Sequence, residues 1–208
     1  MRNNITLLWL CLASLFALPV ATAAEKETGE KPDAKPEAPL FTGYETAKPL
    51  FKPAGTAPAV YGPGDIYVML LTGKESNNAL FQFEAIVPEG GGPPPHIHSR
   101  EDETFYVVSG SLEILMGDKT YTAKAGDFVY IPRGTVHRFK NVGKGMAVQF
   151  VTFSPAGVEK FFQEVFPEVK DRKAAPPPIT EELIKKLNDT APKYGMKMLP
   201  PPTDSGKH

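Results

Sequence analysis

The chain has 208 residues, with 23 Lys or Arg against 24 Asp or Glu, so its net charge is −1. That length suits one well-packed domain with appendages, and the balanced charge offers no basic surface for nucleic acid or an anionic membrane. The partner expected from composition is a small molecule.

Arg2, the apolar run Ile5 to Val20 and the small residues Ala21-Thr22-Ala23 form the three regions of a cleaved secretory signal over residues 1–24. The run is shorter than the ~20 residues a bilayer span needs. The mature chain is therefore expected to be secreted or periplasmic, without a membrane anchor. Cleavage removes Cys11, the only cysteine, so disulfides and thiolate ligands are excluded and any metal must rest on imidazole and carboxylate. Residues 25–60 are rich in Pro, Ala, Lys and Glu, with Lys31-Pro32, Lys35-Pro36 and Lys48-Pro49 interrupting every helix. This composition predicts an extended linker, with Leu40, Phe41, Leu50 and Phe51 able to dock on the body.

From residue 61 to 155, β-branched and aromatic runs alternate with turn residues. The predicted strands are Ile66 to Leu71, Leu80 to Val87, Thr104 to Val108, Leu112 to Met116, Thr120 to Ala123, Phe128 to Ile131, Val136 to Asn141 and Met146 to Phe153. Gly73, Gly110, Gly117, Gly126, Gly134 and Gly143 separate them, which implies an antiparallel sandwich or barrel. Residues 156–208 change character. Val158, Phe161, Phe162, Val165 and Phe166 recur at helical spacing and predict a short helix packed on the barrel. A second helix is expected from the N-cap Thr180, with Glu181 and Glu182 in its first turn and Leu183, Ile184 and Leu187 on its apolar side. The stretch from Ala191 through Met196 and Met198 reads as a strap or tail, and His208 is assigned no role.

The other three histidines are concentrated. His96 and His98 are two apart, so on a strand both project from one face. The stiff segment Gly90-Gly91-Gly92-Pro93-Pro94-Pro95 delivers them, and Glu101, Asp102 and Glu103 follow, any one of which can reach the same ion. His137 opens another strand after the turn Ile131-Pro132-Arg133-Gly134-Thr135. Three imidazoles and a carboxylate suit one divalent first-row metal, drawn from Mn, Fe, Co, Ni, Cu and Zn.

Gly90, His96, His98, Glu103 and Gly110 match the pattern G-x5-H-x-H-x4-E-x6-G, and Gly126, Pro132, Gly134, His137 and Asn141 match G-x5-P-x-G-x2-H-x3-N. In these two linked motifs the chain resembles the cupin family. The resemblance implies an all-β fold, a double-stranded β-helix barrel of jelly-roll type with short C-terminal helices. It also implies His96, His98, Glu103 and His137 as metal ligands, selects Glu103 among the three carboxylates, and allows a homodimer.

The segment from Pro93 to Tyr106, with Ser154 to Phe162, is similar to single-domain proteins of the quercetin 2,3-dioxygenase-like group. That likeness implies an oxidoreductase that opens a flavonol-like phenolic ring with dioxygen. Glu103 then acts as the catalytic base for the 3-hydroxyl. Pocket walls are expected from Phe81 or Phe83, Phe105, Tyr106 and Phe139, and Arg100, Arg133 and Arg138 are candidates to meet an anionic substrate. The rival readings are another metal-dependent cupin enzyme, an isomerase or small-acid dioxygenase, and a non-catalytic cupin that binds a small molecule.

Overall fold

The computed structural model describes residues 47–172 and 174–200. Its strands, in chain order, are β1 (Ala59–Tyr61), β2 (Ile66–Leu71), β3 (Phe81–Val87), β4 (His96–His98), β5 (Asp102–Ser109), β6 (Ser111–Met116), β7 (Lys119–Lys124), β8 (Phe128–Ile131), β9 (His137–Asn141), β10 (Ala147–Ser154) and β11 (Met196–Met198). They form two antiparallel sheets, one ordered β1-β2-β3-β10-β5-β8 and the other β11-β4-β9-β6-β7. The helices are α1 (Gly73–Ser76), α2 (Glu159–Val165) and α3 (Glu181–Thr190).

Strand alternation puts one row of side chains between the sheets. On β3 the inward residues are Phe81, Phe83, Ala85 and Val87, and on β10 they are Ala147, Gln149, Val151 and Phe153. Register stacks Phe83 beside Val151 and Val151 beside Phe105, while Phe81, Phe153 and Glu103 form the next row. From the other sheet Leu112, Ile114 and Phe139 complete the core. Phe105 meets Phe139 edge-on across it, with ring centroids 5.7 Å apart. Each such aromatic residue stabilises the fold by about 3 to 5 kcal/mol against truncation to alanine.

The helical segment covers one end of this core. In α2 and its flanks Val158, Phe161, Phe162, Val165 and Phe166 are all buried. The Thr180 side chain caps α3 by accepting from the Leu183 N–H at 3.2 Å. Leu187 is buried, whereas Ile184, expected on the same apolar side, is 47 % exposed. Helix α3 has a narrow contact with the body, and Ile184 falls outside it.

Other expectations need correction. Leu50 and Phe51 do not dock: they are 49 % and 87 % exposed, because Pro49 and Pro53 keep this stretch extended. Ala59 and Val60, placed in the linker, belong to strand β1. The tail from Met196 is a strand, paired along its length with β4. Helix α1 was not anticipated, although Thr72 and Glu75 make the reciprocal contacts of a capping box around it. The signal segment, the linker up to residue 46, with Leu40 and Phe41, and His208 lie outside the described residues.

Asp65 is an unusual core residue, fully buried at the start of β2. Burial raises its carboxyl pKa from 3.8 to about 8, opposed by the Tyr67 hydroxyl and its own backbone N–H. The folded value lies above the unfolded one, so the stability this group contributes is full below about pH 4 and is lost as pH rises through about 8. Asp65→Asn should therefore gain on the parent by roughly 1 kcal/mol per pH unit between pH 5 and 8 in urea unfolding. Parallel stability curves for the two proteins would count against this account.

Candidate metal centre

Strand β4 carries His96 and His98 inward with Ile97 between them. Its register is set from both sides. His96 lies opposite His137 of β9 and opposite Met198 of β11, so one ladder row reads Met116, His137, His96, Met198 across the sheet. The chain enters that row tightly. Gly90 N–H donates to the Asn141 carbonyl and Asn141 N–H to that of Gly91, both at 2.9 Å. A Cβ on Gly92, whose φ is +131°, would stand 2.2 Å from the Phe139 carbonyl oxygen, so only glycine allows this approach. Asn141 also donates to the carbonyls of Val87 and Gly145 at 2.8 Å, tying the same loop together.

The fourth group comes from the opposite sheet. Glu103 points inward from β5, and the ligand atoms of His96, His98, Glu103 and His137 all lie within 4.8 Å of one another. Glu103 Oε2 is 2.6 Å from His137 Nε2 and 3.8 Å from His98 Nε2. All four side chains are buried.

These groups fit a divalent cation. The Nδ1 atoms of His96 and His137 lie 2.9 Å from the carbonyls of Pro94 and Thr135, and a ring N–H there leaves Nε2 with a free lone pair. His137 Nε2 and Glu103 Oε2 are buried without a hydrogen-bond partner despite their proximity. Burial and the neighbouring His137 and His98 hold His96 well below the ordinary histidine range, so it is neutral and able to ligate. For His137 burial also lowers the pKa, but the Glu103 charge and contact, with the Thr135 carbonyl, raise it overall. A cation binding here must displace that proton.

His96, His98 and Glu103 line a partly open cavity of about 30 Å³, with walls that include Tyr67, Phe83, Phe139, Phe153 and Phe162. Phe83 and Phe139 were anticipated as walls. Phe105 is instead core beneath the site, its ring 6.4 Å from that of His137. Tyr106 is not a wall: it is 47 % exposed, because alternation that sends Glu103 and Phe105 inward sends it outward. Reasoning from sequence missed Tyr67 and Phe153, and it assigned Phe161, Phe162 and Phe166 to packing alone. Met196 and Met198 close the cavity from β11. Their spacing repeats that of His96 and His98, which was the available signal.

The three candidate arginines do not reach this cavity. Arg133 pairs with Asp102 at 2.9 Å, Arg138 with Glu113 at 2.6 Å, and Arg100 borders a separate groove. Among the described residues lining the cavity there is no Lys or Arg. Tyr67 supplies the one hydroxyl. Burial raises its pKa well above the ordinary value, and Asp65 and Glu103 reinforce this, so it stays protonated.

A family model described as a cupin domain matches residues 83–153, which contain all four ligand residues. The polyketide synthase CurC of Streptomyces cyaneus is 30 % identical over 122 residues, covering 57 % of this chain and 79 % of that one. The chain belongs to the cupin family. Other cupin relatives are a germin-like protein, subfamily 2 member 2, of Arabidopsis thaliana and oxalate oxidase 1 of Hordeum vulgare. The first is 37 % identical over 106 residues, covering 47 % of this chain and 44 % of that one. The second is 40 % identical over 73 residues, covering 31 % and 36 %. The chain spans about half the length of several curated relatives it matches. The all-β cupin barrel expected from the two motifs is the fold observed.

A metal test follows from the geometry. Purified protein dialysed against a divalent first-row metal should retain about one ion per chain, and an ion at 100 times its Kd should stabilise it by about 2.7 kcal/mol. His96→Ala or His137→Ala should lose the ion by elemental analysis, and full occupancy in either variant would refute the site. Affinity in the parent should weaken as pH falls and His137 takes up its proton.

Proposed function

We propose that this cupin is a metal-dependent oxygenase acting on an apolar molecule with one acidic hydroxyl, a phenol or enol of the flavonol kind, in an extracytoplasmic compartment. One observation carries the reading: the Glu103 carboxylate, beside His137, lines a cavity with aromatic walls and no Lys or Arg among the described residues. A small dicarboxylate would bring a second negative charge against those walls, and burying an unpaired charge costs several kcal/mol. A phenol or enol brings one acidic proton and a flat apolar body.

When bound by His96, His98, Glu103 and His137, a divalent ion would lower the pKa of a substrate hydroxyl and supply Lewis-acid and redox chemistry. Glu103 is the base that takes the hydroxyl proton. Phe83, Phe139 and Phe153 orient the flat body of the substrate. Met196, Met198 and Phe162 exclude water. The reaction proposed for a flavonol is ring opening by dioxygen with release of carbon monoxide.

Size favours a second reading. About 30 Å³ has room for roughly two waters, so a flavonol requires the helical cover to move, whereas a small acid needs less displacement. The barley relative bears the name oxalate oxidase. The two readings separate by experiment. Oxygen uptake and headspace carbon monoxide should be followed on metal-loaded protein with flavonols, smaller phenols and enols, oxalate and other short acids.

The expected result is consumption of a phenol or enol, reduced about 100-fold or more in kcat by Glu103→Gln. Tyr106→Ala should leave turnover unchanged, while Phe139→Ala should raise KM. Turnover of short acids alone would replace the phenolic reading. Tight binding of a panel member with no turnover would make the protein a binding module.

A further inference from the structure

The three histidines are held differently. His96 and His137 each place Nδ1 on a main-chain carbonyl. His98 has no such anchor: its Nδ1 is buried without a hydrogen-bond partner. Facing it at 3.7 Å is Oε2 of Glu101, also buried and also without a partner. The two side chains are 2 % and 3 % exposed, so water does not readily substitute for either.

The fold makes room for this carboxylate. The short connection from β4 to β5 folds Glu101 back beside the His98 ring, on the nitrogen away from Glu103. Across from it lies Gly157, with φ +149°, where even a Cβ would come to 3.5 Å from Glu101 Oε1. Glu101 also borders the separate groove that Arg100, Lys160 and Lys193 line, which gives its charge cationic surroundings.

We infer that Glu101 is the positioning residue of His98: its carboxylate accepts the Nδ1–H, selecting the tautomer that leaves Nε2 for the metal and orienting the ring toward Glu103. The separation of 3.7 Å is about 0.5 Å beyond hydrogen-bond range, so the assignment requires the carboxylate to turn toward the ring. Glu101 is not itself a ligand, since it faces the opposite nitrogen of the ring and lies outside the converging set of four. A carboxylate behind a ligating histidine raises its basicity and fixes its direction, and loss of such a contact weakens metal binding about 10- to 100-fold. The inference rests on the metal centre and is independent of the oxygenase reading.

The test uses zinc alone as the probe. Zinc affinity, by competition with a chelator, and histidine ring tautomers, by long-range ¹H–¹⁵N spectra, are measured on the purified protein. In the parent, His98 should carry its proton on Nδ1. Glu101→Leu should bind zinc about 10- to 100-fold more weakly and lose that tautomer preference. Glu101→Gln, whose amide oxygen still accepts, should restore affinity to within about threefold.

Unchanged affinity in Glu101→Leu, a Glu101→Gln as weak as Glu101→Leu, or a parent His98 protonated on Nε2 would each overturn the assignment. The parent tautomer and the Gln variant keep the test decisive if the Leu variant does not fold. Absence of zinc binding in the parent would instead defeat the metal centre, and this inference with it.

Discussion

Four ligand atoms gathered within 4.8 Å inside a dry interior is the constraint on which the rest of the structure depends. Lone pairs so close repel one another and are buried away from bulk water, so the arrangement needs the surrounding structure to hold each group and a proton or a cation to lie between them. The surroundings do this with backbone. Pro94 and Thr135, each two residues before the histidine it anchors, turn their carbonyls back onto the ring. In each case the local Pro/Gly sequence that shapes the loop also sets the tautomer. The same requirement explains the glycine run at 90–92, whose value lies in letting the loop reach the β9 backbone and so bring His96 opposite His137.

Two sheets divide the work. One carries all three histidines and β11, and the other carries Glu103, so the centre straddles the core. Strand slippage by one residue in β5 would turn Glu103 outward, leave Asp102 or Thr104 in its place, and turn Tyr106 into the core. The aromatic rows on β3 and β10 oppose that slip: Phe153 pairs with Glu103 and Val151 with Phe105, each buried only in the native register. Core packing therefore specifies the metal site as much as it stabilises the barrel.

Much of this was legible in the sequence, for physical reasons that also mark where legibility ended. Strands β2 and β8 have the predicted bounds because turn residues flank β-branched and aromatic runs. The motif spacing placed the four ligand residues, since alternation determines which side chains face inward. The Thr180 cap was visible for the same local reason. Alternation also excluded Tyr106, but proximity to the ligand strand was given more weight. What was not visible is contact between segments far apart in the chain. Nothing local to Met196-Lys197-Met198 says that it pairs with β4, about a hundred residues earlier, and a helical stripe such as that of Phe161 and Phe162 looks the same whether it covers core or cavity. The three carboxylates at 101–103 show both cases at once. Glu103 is selected by the resemblance to the cupin motif, whereas the surface pair of Asp102 with Arg133 and the place of Glu101 behind His98 needed the fold.

The cover is where structure constrains chemistry most closely. Strand β11 is hydrogen-bonded to β4, with Met196 opposite His98 and Met198 opposite His96. The preceding turn is tied to α2 through Lys193 and Tyr194, both bonded to Glu164, and α3 is tied to it through Lys186 on the Val165 carbonyl. A path into the cavity that parts β11 from β4 therefore disturbs the strand that carries two of the candidate metal ligands. A path that lifts α2 from the aromatic cluster around Phe81, Phe83 and Phe153 leaves that ladder intact, at the cost of exposing apolar rings that a flat apolar substrate would cover again. A small polar acid would offer no such compensation, so the composition of the cover agrees with the proposed apolar substrate, as does the lack of Lys or Arg among the described residues lining the cavity.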